Sequence, residues 1–573
     1  MAMRHSVVLD VKRCRGCTTC IKCCPTEAIR VRGRRATILP DRCIDCGSCI
    51  RICPHKAIKS VGDSLDILNN YQYCVALPEP ALYGQFHHLD SVDIVLSALL
   101  KIGFHKVYEV AKAAELISDY ERQTITSGVS KATPQISSSC PTVLRLIRMR
   151  FPKLIGHVAN TILPMELAAI LARREAEQET GLPPEKIGVF AIVPCSSKVT
   201  AARSPEGLEH PVLDGAFAIR DIYLRLLTPM KELEEVLPLS EAGIMGIGWA
   251  TCGGESAARL GERCASVDGI QNVIQMLEGI EDGRLPEADF LELSACTQGC
   301  VGGCFNVENP YAAKLRLKGL MKGLPVSRNR FRLPEEERDV VCRDKELQYL
   351  PAFVLDQDRG VAFSKLLQIQ ELEEHLPGLH CGSCGAPSCR AFAEDVVLGR
   401  ASEDDCIFKV RERMRSMTGS KAEADDYLPP PSAAGRRRTN NPPCQRRRDA
   451  PRAAAAFRHL QGGNQHDRPG TDRRALPDRL PPGGPRPPRH QRLRRRSAQL
   501  GAGPGGAGLR LADHHVQSER GRRGPHGGGG LRGAHRGGGP RRGATPPGGG
   551  EGGQPAGHRA GHLCRRSPPG RDA

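Results

Sequence analysis

Twelve residues near the start of the chain, Cys14-Arg-Gly-Cys17-Thr-Thr-Cys20-Ile-Lys-Cys23-Cys24-Pro25, constrain it more than any other stretch, because they recur 29 residues later as Cys43-Ile-Asp-Cys46-Gly-Ser-Cys49-Ile-Arg-Ile-Cys53-Pro54. A Cys-x2-Cys-x2-Cys-x3-Cys-Pro run written twice is the ligand pattern of two [4Fe–4S] clusters. Three thiolates on a tight loop cap one face of a cubane, and the fourth reaches across to the other cluster. The pattern assigns Cys14, Cys17, Cys20 and Cys53 to one cluster, and Cys43, Cys46, Cys49 and Cys24 to the second. Two complete repeats with Cys-Pro endings argue against the alternative, a zinc-binding module; Cys23 is a spare. Each copy follows a short apolar run, Val7–Val11 and Thr37–Leu39, and Ala28-Ile29 matches Ala57-Ile58. The expected unit is a strand, a cysteine loop and a short helix, twice over.

This block resembles a bacterial two-cluster ferredoxin over its whole length, which implies one-electron transfer at low potential. The chain around it has 573 residues and 24 cysteines, and the stretch Met1 to Lys12 is too polar for a secretory apolar core and shows no paired arginines, so export is not expected. So many cysteines in a reducing compartment read as metal or cluster ligands rather than disulfides. A cytoplasmic location is expected, and no apolar run approaches the length of a membrane span.

Charge is unevenly distributed. The formal net charge is +18, but beyond Gly435 the chain has 30 Arg, no Lys and 8 Asp+Glu, a net of +22, which leaves about −4 for residues 1–434. The basic balance belongs to the tail, so it does not make the rest of the molecule a nucleic-acid binder.

Residues 66–345 read as a large α/β domain, with the apolar strand run Ile187–Val193 between helical patterns at Thr142–Met149 and Met165–Arg174. Three cysteine sites interrupt it: Ile136-Ser-Ser-Ser139-Cys140-Pro141, Ile192-Val-Pro194-Cys195-Ser-Ser-Lys198, and Leu293-Ser-Ala-Cys296-Thr-Gln-Gly-Cys300-Val-Gly302-Gly303-Cys304. Four thiolates from three distant loops can converge on one cubane, and a Gly-Gly step lets backbone approach closely. Each site alone is weak, since a lone Cys-Pro is usually a packed structural cysteine; in this order the three are specific.

Here the chain resembles the large subunit of [FeFe]-hydrogenase over about residues 70–330, through Asn309-Pro310 and the basic helix beyond. The resemblance implies that Cys140, Cys195, Cys296 and Cys300 ligate the [4Fe–4S] part of an H-cluster. It also implies that Cys300 bridges to a two-iron subsite carrying CO, cyanide and a dithiolate. Lys198 would donate to a cyanide ligand, a charge-assisted hydrogen bond; otherwise it is a solvated lysine. H2 and protons are then the substrates, with a redox partner protein that the sequence does not identify. Three positions depart from the family. Ser139 stands where catalytic members have a cysteine serving as proton donor, and a hydroxyl is far less acidic than a thiol, so the relay is expected to be impaired. Val193 and Ser294 replace the methionines usual before Pro194 and Ala295. These departures match the divergent, sensory-type branch, and they keep open an electron-transfer protein that binds cubanes only.

A further group, Cys381-x2-Cys384-x4-Cys389-x16-Cys406, would place four thiolates around another [4Fe–4S] cluster, with zinc as the alternative. It resembles a small iron–sulfur domain of corrinoid-protein and electron-transfer systems. Eight cysteines remain: Cys23, Cys74, Cys252, Cys264, Cys304, Cys342, Cys444 and Cys564. Packing is the expectation for them; Cys252, beside Gly253-Gly254, suggests a tight approach.

After Pro429-Pro430-Pro431 the composition changes. Beyond Gly435 there is no Ile, Met, Tyr, Trp or Lys, one Phe and one Val. Such a segment cannot offset roughly 1–2 kcal/mol per residue of backbone ordering, and disorder is expected. Its abrupt Arg/Gly/Pro/Ala composition favours an out-of-frame product over an inert linker or an RNA- or DNA-binding tail. The expected chain is multidomain: an α+β two-cluster ferredoxin-like module (1–65), an α/β hydrogenase-like H-cluster domain (66–345), a small mainly α iron–sulfur domain (346–427) and a disordered basic tail (428–573).

Overall fold

A computed structural model describes residues 5–126, 133–261, 263–284, 287–330, 339–352 and 354–418. The expected disordered tail, 428–573, lies outside the described residues.

The N-terminal module runs β1 (Val7–Leu9), α1 (Thr19–Cys23), β2 (Ile29–Arg32), β3 (Arg35–Ile38), α2 (Ser48–Ile52) and β4 (Ile58–Ser60). The repeat is therefore strand, loop, helix, strand: the sequence reading missed β2 and β4, which begin at the matched Ala-Ile pairs. Both pairings are antiparallel. β1 pairs with β4 (Leu9 opposite Ile58), and β2 with β3 (Ile29 opposite Ile38).

The middle of the chain adds β5 (Tyr73–Pro78), α3 (Val92–Lys101), β6 (Lys106–Val107), α4 (Val110–Thr126), β7 (Gln135–Ile136), α5 (Pro141–Arg150), α6 (Pro164–Thr180), β8 (Ile187–Val193), α7 (Ser196–Arg203), β9 (Gly215–Ala218) and α8 (Ile219–Leu226). Then come α9 (Ile244–Gly248), α10 (Gly254–Arg259), β10 (Cys264–Asp268), α11 (Ile270–Glu281), β11 (Phe290–Ser294) and α12 (Pro310–Leu320). Two parallel sheets result, ordered β6-β5-β8-β9 and β10-β11-β7. Parallel strands need helical crossovers, and helices on both faces bury the sheet completely. β8 shows this: all seven residues are buried. Val189, Ala191 and Val193 pack with Ile117 of α4 and Leu167 of α6, while Phe190 and Ile192 face Leu96 of α3 and Ile222 of α8. The segment 339–352 packs back here, with Val341 in the core of the first sheet and Leu347 in that of the second.

The last described part is helical: α13 (Arg359–Glu374), α14 (Cys389–Val397) and α15 (Ile407–Thr418). Ile369, Leu376, Phe392 and Cys406 form its small core. Among the described residues no helix is long and apolar enough to cross a membrane.

Candidate metal centre

Four cavities among the described residues are lined by the sixteen cysteines picked out above, four to each, with Cys46 on the wall of two of them. Cys14, Cys17, Cys20 and Cys53 share one of about 330 Å³. Cys24, Cys43, Cys46 and Cys49 share another of about 340 Å³, and Cys381, Cys384, Cys389 and Cys406 a third of about 340 Å³.

The exchange of the fourth cysteine between repeats follows from strand pairing. β4 lies against β1, and Asp10 N–H donates to Ala57 O (2.7 Å), which returns Cys53 to the loop of Cys14–Cys20. β2 and β3 continue into Leu39 N–H to Ala28 O (2.7 Å), which brings Cys24 to the loop of Cys43–Cys49. The matched alanines act alike: Ala28 N–H points at Cys24 Sγ (3.2 Å) and Ala57 N–H at Cys53 Sγ (3.3 Å). Backbone N–H groups on ligand sulfurs stabilise thiolate charge and tune cluster potential. The donor set suits iron–sulfur clusters. Burial pushes the Cys20 and Cys46 thiols up to about 11, so each keeps its proton until a bound cation displaces it.

The fourth cavity is larger, about 780 Å³, and Cys140, Cys195, Cys296 and Cys300 line it. Its walls are the carboxyl ends of parallel strands, where α/β folds bind ligands. β5 ends one residue before Glu79, β8 two before Cys195 and β11 two before Cys296, while β7 ends just before the three serines that precede Cys140. Cys140 and Cys195 also occupy the N-cap positions of α5 and α7, which puts the partial positive end of each helix beside an anionic group held there; burial holds the Cys195 thiol well above its ordinary range. The Gly302-Gly303 step has the expected close approach. A Cβ on Gly303 would lie 2.2 Å from Pro194 O, so only glycine lets the Cys300 loop sit on the Cys195 loop. Burial pushes Cys296 up to about 11 and Cys300 to about 12.

Lys198 is buried, which removes the solvated alternative. Its Nζ pairs with Glu79 Oε1 at 2.5 Å and lies 4.0 Å from Cys300 Sγ. Despite burial, the surrounding acidic groups hold its ammonium above the ordinary range.

Ser139 Oγ donates to Glu255 Oε2 at 2.9 Å, and Ser137 Oγ to the same oxygen at 2.7 Å. Burial, then the charges of Glu121 and Glu292, push the Glu255 carboxyl up to about 8. Glu121 is held by Arg259 (2.8 Å) and Thr161 (2.9 Å), and Glu292 accepts from Gly253 N–H and Ser256 N–H. Neither Glu79 nor Glu255 was visible as a site residue in the sequence. The sole hint at Glu255 was the Gly-Gly pair before it, read as belonging to Cys252. The close approach at Cys252 is instead main chain to main chain, its N–H donating to Gln298 O at 3.1 Å.

The second ferredoxin cage adjoins this cavity, since Asp45 and Cys46 line both. Arg51 spans the joint, donating to Cys46 O (3.2 Å) and Gly302 O (3.5 Å), 3.9 Å from Cys296 Sγ. Cys304 fills the gap against Gly47 and lines neither cage. Cys23, the spare, turns its thiol to Cys20 O at 3.3 Å.

Comparison with known proteins gives three family matches. Residues 72–222 and 250–304 match "Iron only hydrogenase large subunit, C-terminal domain", residues 6–54 match "4Fe-4S dicluster domain", and residues 376–408 match "Putative Fe-S cluster". An uncharacterized protein of Methanocaldococcus jannaschii is 38% identical over 52 residues, 9% of this chain and 23% of that protein. Iron hydrogenase 1 of Clostridium pasteurianum is 22% identical over 127 residues, 22% of each chain. The chain thus spans less than a quarter of the length of the curated relatives it matches. Among solved structures, a variant of the [FeFe]-hydrogenase HydA1 from Chlamydomonas reinhardtii aligns at 14% identity and a TM-score of 0.38, covering 49% of this chain and 95% of that one. HydA(deltaEFG), from a study of stepwise H-cluster assembly, aligns at 16% and 0.39, covering 50% and 97%.

Proposed function

Starting from an iron–sulfur protein related to [FeFe]-hydrogenase, we propose that the central cavity binds an H-cluster and that the chain interconverts H2 with protons and electrons, slowly, in an H2-sensing role. One observation carries this reading. Counting the solvent-open mouth of each, the central cavity spans about 780 Å³, more than twice any of the three other cysteine cages at about 330–340 Å³, which would leave room beside a cubane. Cys140, Cys195, Cys296 and Cys300 would hold the cubane, and Cys300 the bridge to a two-iron subsite. That group, when bound, supplies the H2 chemistry.

The chain's own residues supply the surroundings. Glu79 pairs with the Lys198 ammonium beside Cys300, placing a donor with up to three N–H groups where an anionic ligand would sit. Glu255 holds a proton near neutral pH, and both it and the Ser139 hydroxyl that donates to it line the cavity. A hydroxyl passes a proton less readily than a thiol, which fits slow turnover and a sensing role.

The test is an infrared spectrum of the full chain, made anaerobically in a host that assembles H-clusters. Bands of iron-bound CO and cyanide are expected. Their absence, with iron for four cubanes retained, would replace this reading with that of a cubane-only electron carrier.

A further inference from the structure

The C-terminal cage is docked on the ferredoxin module through buried charge. Asp395, on α14, is 2% exposed, and its Oδ2 accepts from Arg30 Nε at 2.6 Å and from Arg32 Nη2 at 2.9 Å. Beside it Arg42 pairs with Glu394 at 2.8 Å. Both arginines that hold Asp395 belong to β2, and the residue between them, Val31, lines the cage of Cys14, Cys17, Cys20 and Cys53.

Main-chain contact is equally close at that point. Val31 N–H donates to Gly385 O at 2.8 Å, and Arg32 Nη1 to Cys384 O at 3.0 Å. Gly385 has φ of +79°, and a Cβ there would lie 1.7 Å from Val31 O, so glycine alone permits the approach. Lys22, next to the α1 cysteines, donates to His380 O. The residues beside Cys384 therefore touch the wall of the first ferredoxin cage, while the second ferredoxin cage, through Cys46 and Arg51, touches the central cavity.

We infer that Asp395, clamped by Arg30 and Arg32, is a positioning residue that holds the C-terminal cysteine cage beside the Cys14–Cys53 cage. The four cages then form a series running from the C-terminal cage, through the first and second ferredoxin cages, to the central cavity. The C-terminal cage, where Cys381 is exposed, is the outer station of that series. The inference rests on the four cages holding cubanes, and not on the two-iron subsite. A buried carboxylate shared by two buried or half-buried arginines fits this role, because such pairs specify geometry more than they add stability. A contact between modules without such a clamp would leave relative motion as the default.

Electron paramagnetic resonance of the full chain tests it, after production in a host lacking H-cluster assembly, anaerobic reconstitution with iron and sulfide, and reduction. The result is then independent of whether a two-iron subsite can form. The signal of the C-terminal cluster is identified by its loss in Cys384→Ala/Cys389→Ala. In the unmodified chain it is expected to be broadened by a magnetic neighbour. It should sharpen when Cys17→Ala/Cys20→Ala removes the first ferredoxin cluster and stay broad when Cys46→Ala/Cys49→Ala removes the second. Asp395→Asn should sharpen it with the iron content unchanged, and Asp395→Glu, which keeps the charge, should retain the broadening. If a cage variant fails to fold, the Asp395 pair carries the same prediction. A sharp signal in the unmodified chain, broadening that survives loss of the first ferredoxin cluster, or a broadened signal in an Asp395→Asn chain with full iron would each overturn the inference.

Discussion

Three side chains at the central cavity can be tested singly. Lys198 contributes a buried cation 4.0 Å from Cys300 Sγ. Lys198→Met keeps the bulk and removes the charge. It is expected to abolish the infrared bands of iron-bound CO and cyanide while iron for four cubanes stays bound, which separates subsite loading from folding. At Ser139 the donor is a hydroxyl. Replacing it by a thiol, whose ordinary pKa is near 8.5, should raise the rate of H2 evolution on the order of 10²-fold, as measured by gas chromatography with a chemical reductant.

Glu255 gives a pH signature. Its carboxyl is raised from 4.5 to about 8 in the folded chain. Below its ordinary value both folded and unfolded chains are protonated. As pH rises from about 4.5 to about 8, the unfolded chain ionises first and the folded state loses relative stability. Glu255→Gln should therefore flatten the decline in guanidinium midpoint across that window. A variant with the same slope as the parent would show that the proton is not held there.

At the scale of elements, the helix ends and the glycine step do the assembling. α5 and α7 each begin directly after a cysteine, so the start of each helix fixes one thiol. Gly303 lets the third loop lie on Pro194. Gly303→Val should force the Cys300 and Cys195 loops apart. The expected result is loss of one cubane's worth of iron from the central cavity, by iron analysis, with the other three signals kept. Element-level reading from the sequence was uneven for a physical reason. β8 was legible because an all-buried parallel strand is a continuous apolar run flanked by helical patterns. β2 and β4 were missed because each is three or four residues long and contains arginine or lysine, leaving little periodicity to read.

At the scale of the molecule, Arg145 joins the modules. It is fully buried, pairing with Asp45 of the second cysteine loop at 2.8 Å and with Glu206 at 2.7 Å, and Thr200 Oγ1 also donates to Asp45 at 2.9 Å. Arg145→Met would leave two buried carboxylates short of a partner and is expected to cost about 3–5 kcal/mol. The measurement is the shift in unfolding midpoint, together with faster release of the N-terminal module under limited proteolysis.

The grouping of cysteines that line each outer cage was legible in the sequence, since three of each four stand at short, fixed intervals along one loop; the fourth comes from the other repeat or, as Cys406, from beyond the next helix. The three central motifs were recognisable as a set because each keeps its own local pattern. That they meet at the carboxyl ends of two parallel sheets is a matter of strand order, decided only when distant segments pair. The same holds for Glu79 beside Lys198, Glu255 beside Ser139, Arg51 between two cages and Asp395 under Arg30 and Arg32. None of these has a local signature, because a buried charge is placed by its partner, and the partner lies 116 to 365 residues away. The sequence by itself determined which chemistry this chain can hold; the tertiary structure decided which groups surround it and in what order the cages stand, because ligand spacing is local while burial and charge pairing are not.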